Sequence, residues 1–155
     1  MDESELTKLF AKLGARDPAL WAHSQIREGI PQLARFLFLR QAWRQVVPPG
    51  DETWVEQELK TPENMPGGII VAPLRRLIDG GASIADLTIL VRIMQWRLLF
   101  RLCYLLDDPG EVEEEVENIE WGLFQTDDKG KPLELVNGLH ESVLGTAPDD
   151  LGFDL

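Results

Sequence analysis

Residues 84–106 read IADLTILVRIMQWRLLFRLCYLL, the longest apolar-rich run in the chain. Ser83 with Asp86 three residues on forms a capping-box pattern, with Asp in place of the usual Glu or Gln, which predicts a helix start. Asp107-Asp108-Pro109-Gly110 predicts its stop. At 3.6 residues per turn, Ile84, Leu87, Val91, Met94, Leu98, Leu102 and Leu105 fall on one stripe. Ala85, Ile89, Ile93, Trp96, Phe100 and Cys103 fall on a second, nearly opposite one. Asp86, Arg97 and Arg101 fill one gap between them, and Thr88, Arg92 and Gln95 the other. A surface helix carries one apolar stripe, so two stripes predict a helix packed on both sides. The second stripe then faces either the rest of the same chain or a second copy in a homodimer. No membrane span is expected, because Asp86, Arg92, Arg97 and Arg101 interrupt a stretch that a bilayer would require uncharged for about 20 residues.

Shorter helices are expected on either side. Ser4 is a candidate cap for a helix to about Leu13, and Asp17-Pro18 opens a second one to about Glu28. Pro31 starts a third, which runs to Val47 and is ended by Pro48-Pro49-Gly50. A short helix after Asp51, a loop over 61–68 and another short helix over 73–78 follow. Val112, Val116 and Ile119 keep helical spacing. The period then changes to alternation at Ile119, Trp121 and Leu123 and again at Leu133 and Leu135, with Asp127-Asp128-Lys129-Gly130 between as a turn. The expected class is therefore mainly α, a compact helical bundle around the helix at 84–106 with a C-terminal β-hairpin at about 119–136. Residues 1–148 are expected to form one domain, a last short helix lies near 139–144, and 149–155 form a loose tail.

With 155 residues and 44% hydrophobic composition, the chain can bury a core without disulfide or metal. Its single cysteine, Cys103, sits in an apolar run and reads as a small buried hydrophobe. The N-terminus, MDESE, is acidic and lacks the basic start and apolar stretch of a secretory signal, so the expected compartment is the cytoplasm.

The formal net charge is −12, and its distribution is uneven. Residues 1–106 hold 13 basic and 12 acidic side chains, whereas residues 107–155 hold 2 and 15. Nucleic acid is not an expected partner, since phosphate binding needs a basic face. The acidic third is expected either to keep the protein soluble, to pair with arginines of the helices, or to steer a basic partner protein to it.

Catalytic constellations are sparse. Two histidines, His23 and His140, lack a second histidine at helical spacing, and one cysteine forms no paired-thiolate zinc site. Neither a phosphate-binding glycine loop nor a nucleophile elbow occurs. Aligning Gly130 with the invariant glycine of a calcium loop puts Gln125 first, Lys129 fifth and Val136 twelfth, and aligning Gly110 puts Leu105 first, so both registers fail. No metal or cofactor is expected, and enzymatic activity is not favoured. The leading expectation is a protein–protein interaction module, an immunity- or antitoxin-like inhibitor or an adaptor. Its partner-binding candidates are Glu113, Glu114, Glu117, Asp127, Asp128, His140 and Glu141. The alternative is a ligand-binding protein or enzyme with an anion pocket between helices lined by Arg35, Arg40, Arg92 and Arg97.

Overall fold

The structure, a computed structural model, describes residues 1–108, 116 and 119–148. The chain is mainly α, with a long helix and a C-terminal antiparallel hairpin, as its sequence pattern predicts. The helices are α1 Glu3–Leu13, α2 Pro18–Glu28, α3 Gln32–Trp43, α4 Thr53–Leu59, α5 Val71–Asp79, α6 Ile84–Asp107 and α7 Leu139–Ser142. The strands are β1 Phe124–Thr126 and β2 Pro132–Leu135. Two units carry these elements: residues 1–43 with 98–148, and residues 44–97. The expected helical turns around Val112 and the tail at 149–155 lie outside the described residues.

In the first unit, α1 opens on Asp2, not Ser4. The Asp2 carboxylate accepts from the Glu5 amide at 2.9 Å, and the Glu5 carboxylate accepts from the Asp2 amide at 3.0 Å. This reciprocal box satisfies two amides that a helix start leaves over. Asp17 caps α2 as expected, accepting from the Leu20 amide. Leu6, Phe10, Ala22 and Phe36 bury a core against Leu13, Trp21 and Leu33. Phe10, Trp21 and Phe36 pack with ring centroids 5.4 to 5.9 Å apart, a separation at which edge-to-face and offset contacts are favourable. Farther along α3, Leu39 and Trp43 are buried, as are Leu139 and Val143. The Trp43 indole donates to the Val143 carbonyl at 2.7 Å, which settles the polar end of a buried aromatic.

In the second unit, α3 has ended at Trp43, earlier than Val47, and the chain meets Pro48-Pro49. The backbone groups of Val47 then have no helical partners. The side chains of α6 supply them: the Val47 amide donates to Gln95 Oε1 at 2.7 Å, and Arg92 Nη1 donates to the Val47 carbonyl. Thr88 Oγ1 accepts from the Trp54 indole at 2.9 Å and donates to its own helix at Ile84. Thr88 and Arg92 are buried, together with Val46, Val55, Val71 and Leu74.

These contacts correct one expectation. The helix at 84–106 is not packed on both apolar stripes. Its inward side is the polar gap of Thr88, Arg92 and Gln95, continued by Cys103. Leu90, Met94, Leu98, Leu102 and Leu105 are 45 to 61% exposed, or 63% in the case of Met94. Hydrogen-bond demand at Val47 and Trp54 outweighed apolar area in setting the rotation of the helix, because an unpaired buried backbone group costs about 1–3 kcal/mol.

Gly68 is required by close packing of backbone. A Cβ there would lie 2.2 Å from the Pro62 carbonyl oxygen and 2.8 Å from Glu63 Cα. Gly67 is left-handed at φ 93°, but its Cβ position meets nothing. We expect Gly68→Ala to destabilise by about 1–3 kcal/mol through steric overlap, and Gly67→Ala by about 1 kcal/mol through backbone strain alone. Urea midpoints of the two variants check the order, and equal losses would contradict the assignment.

Candidate functional site

The acidic C-terminal third contributes an exposed hairpin and, below it, a buried polar cluster. The hairpin is made by its turn. Asp127 Oδ1 accepts from the amides of Lys129 and Lys131, each at 2.9 Å, while the Gly130 amide donates to the Asp127 carbonyl. Gly130 sits at φ 78°, where a side chain would be strained. The strands pair Phe124 with Leu135 and Thr126 with Pro132, with an irregularity between. At the base the Val136 amide donates to the Leu123 carbonyl at 2.7 Å. The regular strands are shorter than the expected 119–136, since 119–123 forms no regular strand. That segment is held differently: the Trp121 indole donates to the Leu105 carbonyl at 2.9 Å. Leu105 lies in the last turn of α6, where carbonyls lack helical partners.

Every residue of both strands is exposed. Phe124, Leu133 and Leu135 remain 44 to 54% exposed, with Glu120, Asp128 and Glu134 exposed around them. Asp128 is therefore available to a partner, whereas Asp127 is occupied by its own turn. Glu113, Glu114 and Glu117 lie outside the described residues.

Below the hairpin, Asp107 closes α6 and caps α7. Its Oδ2 accepts from the His140 amide at 2.8 Å and from His140 Nδ1 at 2.6 Å. The Asp107 side chain is 5% exposed, and its Oδ1 has no hydrogen-bond partner among the described residues. The His140 ring rests edge-on against Tyr104, with centroids 5.0 Å apart, and against Phe100 at 6.4 Å. Arg35 reaches the same cluster from α3. It donates to Ser142 Oγ at 3.2 Å and Asn137 Oδ1 at 3.4 Å, and its Nε is buried without a hydrogen bond. Gly138, at φ 66°, makes the space: a Cβ there would stand 2.7 Å from Arg35 Nη2. Burial pushes the Arg35 pKa below its usual value, and the negative charges of Asp107, Glu141 and Glu28 oppose that shift.

The cluster brings together His140, Asp107, Arg35, Asn137 and Ser142; Ser142 stands beside His140 in the sequence, whereas Asp107 and Asn137 were not legible there as site residues. Their signal was weak, since an aspartate after an apolar helix reads as a stop. Asp107 and His140 share the geometry of a base and its orienting carboxylate. Ser142, however, bonds to Arg35, and no bond joins it to His140. Glu141 is exposed. Of the arginines expected to line an anion pocket, Arg35 and Arg40 belong to the first unit, with Arg40 half-buried. Arg92 and Arg97 belong to the second, where Arg92 is committed to Val47 and Arg97 is exposed. A groove of about 490 Å³ in the first unit is lined by Ile26, Ile30, Leu33, Leu37, Gln125 and Glu134, among others, and by none of these arginines. Among the described residues, no three His, Cys, Asp or Glu side chains are grouped to hold a metal ion, and no helix is long and apolar enough to cross a membrane.

Two expected outcomes follow from the cluster. Asp107→Ala strands the His140 amide and removes a charge that offsets buried Arg35, so it should destabilise by about 1–3 kcal/mol, read as a lower urea midpoint. Cys103 is buried, and burial, with the Asp107 charge second, raises its thiol to about 11 from an ordinary 9.0. A raised folded value means the thiol's contribution to stability is complete below pH 9 and is lost as pH rises toward about 11. At neutral pH the native protein should react with a thiol reagent far more slowly than the urea-unfolded chain; equal rates would contradict the burial.

No family model, curated protein or solved structure matches the chain, so what the site does rests on its own residues.

Proposed function

We propose that the chain is a cytoplasmic protein-interaction module, of the inhibitor or adaptor kind, that offers its acidic C-terminal third to a basic partner surface. The observation that carries this reading is the hairpin: Phe124, Leu133 and Leu135 stand exposed amid Glu120, Asp128 and Glu134. Aromatic and aliphatic side chains of this kind anchor interfaces when a partner covers them. The surrounding carboxylates, with Glu113, Glu114, Glu117 and Glu141 of the same third, would speed encounter with a basic surface and reject an acidic one. The excess of 15 acidic over 2 basic residues in 107–155 supports the sign of that partner.

Affinity capture from the native host, with the parent chain and variants side by side, tests the reading. Phe124→Ala and Leu133→Asp should each weaken the captured partner at least about tenfold, mainly through faster dissociation. Reversal of Glu113, Glu114 and Glu117 to Lys should slow association and flatten its salt dependence. A partner held equally by all variants and at all salt concentrations would overturn the proposal.

A further inference from the structure

Asparagine occurs three times in the chain: Asn64 before Met65, Asn118 before Ile119 and Asn137 before Gly138. The residue that follows an asparagine decides what chemistry is open to it. Its backbone nitrogen can attack the side-chain Cγ and close a five-membered ring, and a side chain on that residue obstructs the approach. Glycine removes the obstruction and frees the backbone to reach the geometry of attack. Asn137 is exposed, and with Gly138 it lies outside helix and strand, between β2 and α7. Among the described residues no hydrogen bond engages the Gly138 amide, so the attacking nitrogen is not tied up.

The fold adds a cation to this dipeptide. Arg35 Nη2 donates to Asn137 Oδ1 at 3.4 Å. The same guanidinium is packed against Gly138, where a Cβ would stand 2.7 Å from Nη2 and 2.9 Å from Cζ. Negative charge develops on the Gly138 nitrogen as it loses its proton, and on Oδ1 as Cγ becomes tetrahedral. A buried positive charge already held beside both places stabilises that charge as it forms. We propose that Asn137-Gly138 is a self-modifying site, at which the folded chain converts Asn137 to an acidic residue beside Arg35. The Gly138 nitrogen gives its proton to solvent base and bonds to Cγ. The Cγ–Nδ2 bond breaks, and Nδ2 leaves as ammonia. Water then opens the ring. Addition at Cγ leaves an aspartate on an unaltered backbone, and addition at the backbone carbonyl carbon leaves an isoaspartate, one methylene longer in the main chain. One water is consumed and one ammonia released, with no oxidation or reduction. The product suits its surroundings. Arg35 otherwise contacts a hydroxyl and an amide, and its buried Nε has no hydrogen bond. A carboxylate in place of the Asn137 amide gives this guanidinium a charge-assisted partner. It also adds one negative charge at the base of the hairpin.

Peptide mapping by mass spectrometry tests the proposal on the full chain, held at mildly alkaline pH both folded and unfolded in guanidinium chloride. Asn137 should lose its amide at least as fast in the folded chain as in the unfolded one, where Arg35 is no longer held beside it. Asn64, which is also exposed but precedes Met65, should lag it by at least about tenfold in the fold, since its ring closure is obstructed and unassisted. Asn137→Gln, which would have to close a six-membered ring, should abolish the conversion with an unchanged circular dichroism spectrum. Asn137→Asp should raise the urea midpoint above that of the parent, because Arg35 gains a carboxylate. Slower loss of the Asn137 amide in the folded chain than in the unfolded one would overturn the proposal, as would conversion at Asn64 as fast as at Asn137. An Asn137→Asp variant no more stable than the parent would overturn the pairing of the product with Arg35.

Discussion

The backbone of Val47 has to be paired, and the long helix pairs it. Two prolines follow Val47, so neither a further helical turn nor a strand takes up its amide and carbonyl. Gln95 and Arg92 meet one group each, and Thr88 meets the indole of Trp54. These side chains are spaced to share a face of α6. Once that face is turned inward, Leu90 and Met94 on the far side of the helix are left exposed. The exposed surface is therefore a consequence of polar satisfaction in the interior.

The first unit solves a related problem with charge. Arg35 is buried, and its guanidinium contacts a hydroxyl and an amide in place of a carboxylate. Its charge is offset at longer range by Asp107, which is itself engaged in holding the start of α7. Gly138 leaves the space in which this arrangement fits. Arg35, Gly138, Asp107 and His140 come from three helices and a turn, so the cluster ties α3, α6 and α7 to one another through polar contacts. The hydrophobic layer of Phe10, Trp21 and Phe36 does the equivalent work at α1, α2 and α3.

Much of the secondary structure was legible because local chemistry specifies it. Asp17-Pro18, Ser83 and the turn at Asp127–Gly130 each do in the structure what their side chains predict. The rotation of α6 was not legible. Periodicity counts apolar positions, and it cannot register that Thr88, Arg92 and Gln95 have backbone and indole partners some 34 to 48 residues away in sequence. The role of Asp107 was hidden for the same reason, since its hydrogen bonds go to His140, 33 residues on. His140 and Arg35 were singled out by residue type, but their meeting depends on a glycine whose significance is steric and tertiary.

The bond from Asp107 to His140 also defines a loop. It pins the two ends of a 33-residue excursion that contains the acidic run and the hairpin. The entropy of closing such a loop grows only logarithmically, about 0.6 kcal/mol for each doubling of length. Changes of length in the exposed strands and turn therefore cost little loop entropy, provided Trp121, Val136, Asn137, Gly138 and Leu139 keep their places. The exposed hairpin proposed to meet a partner can thus change in length and surface at little cost to the fold, so its specificity can diverge while the helices stay as they are.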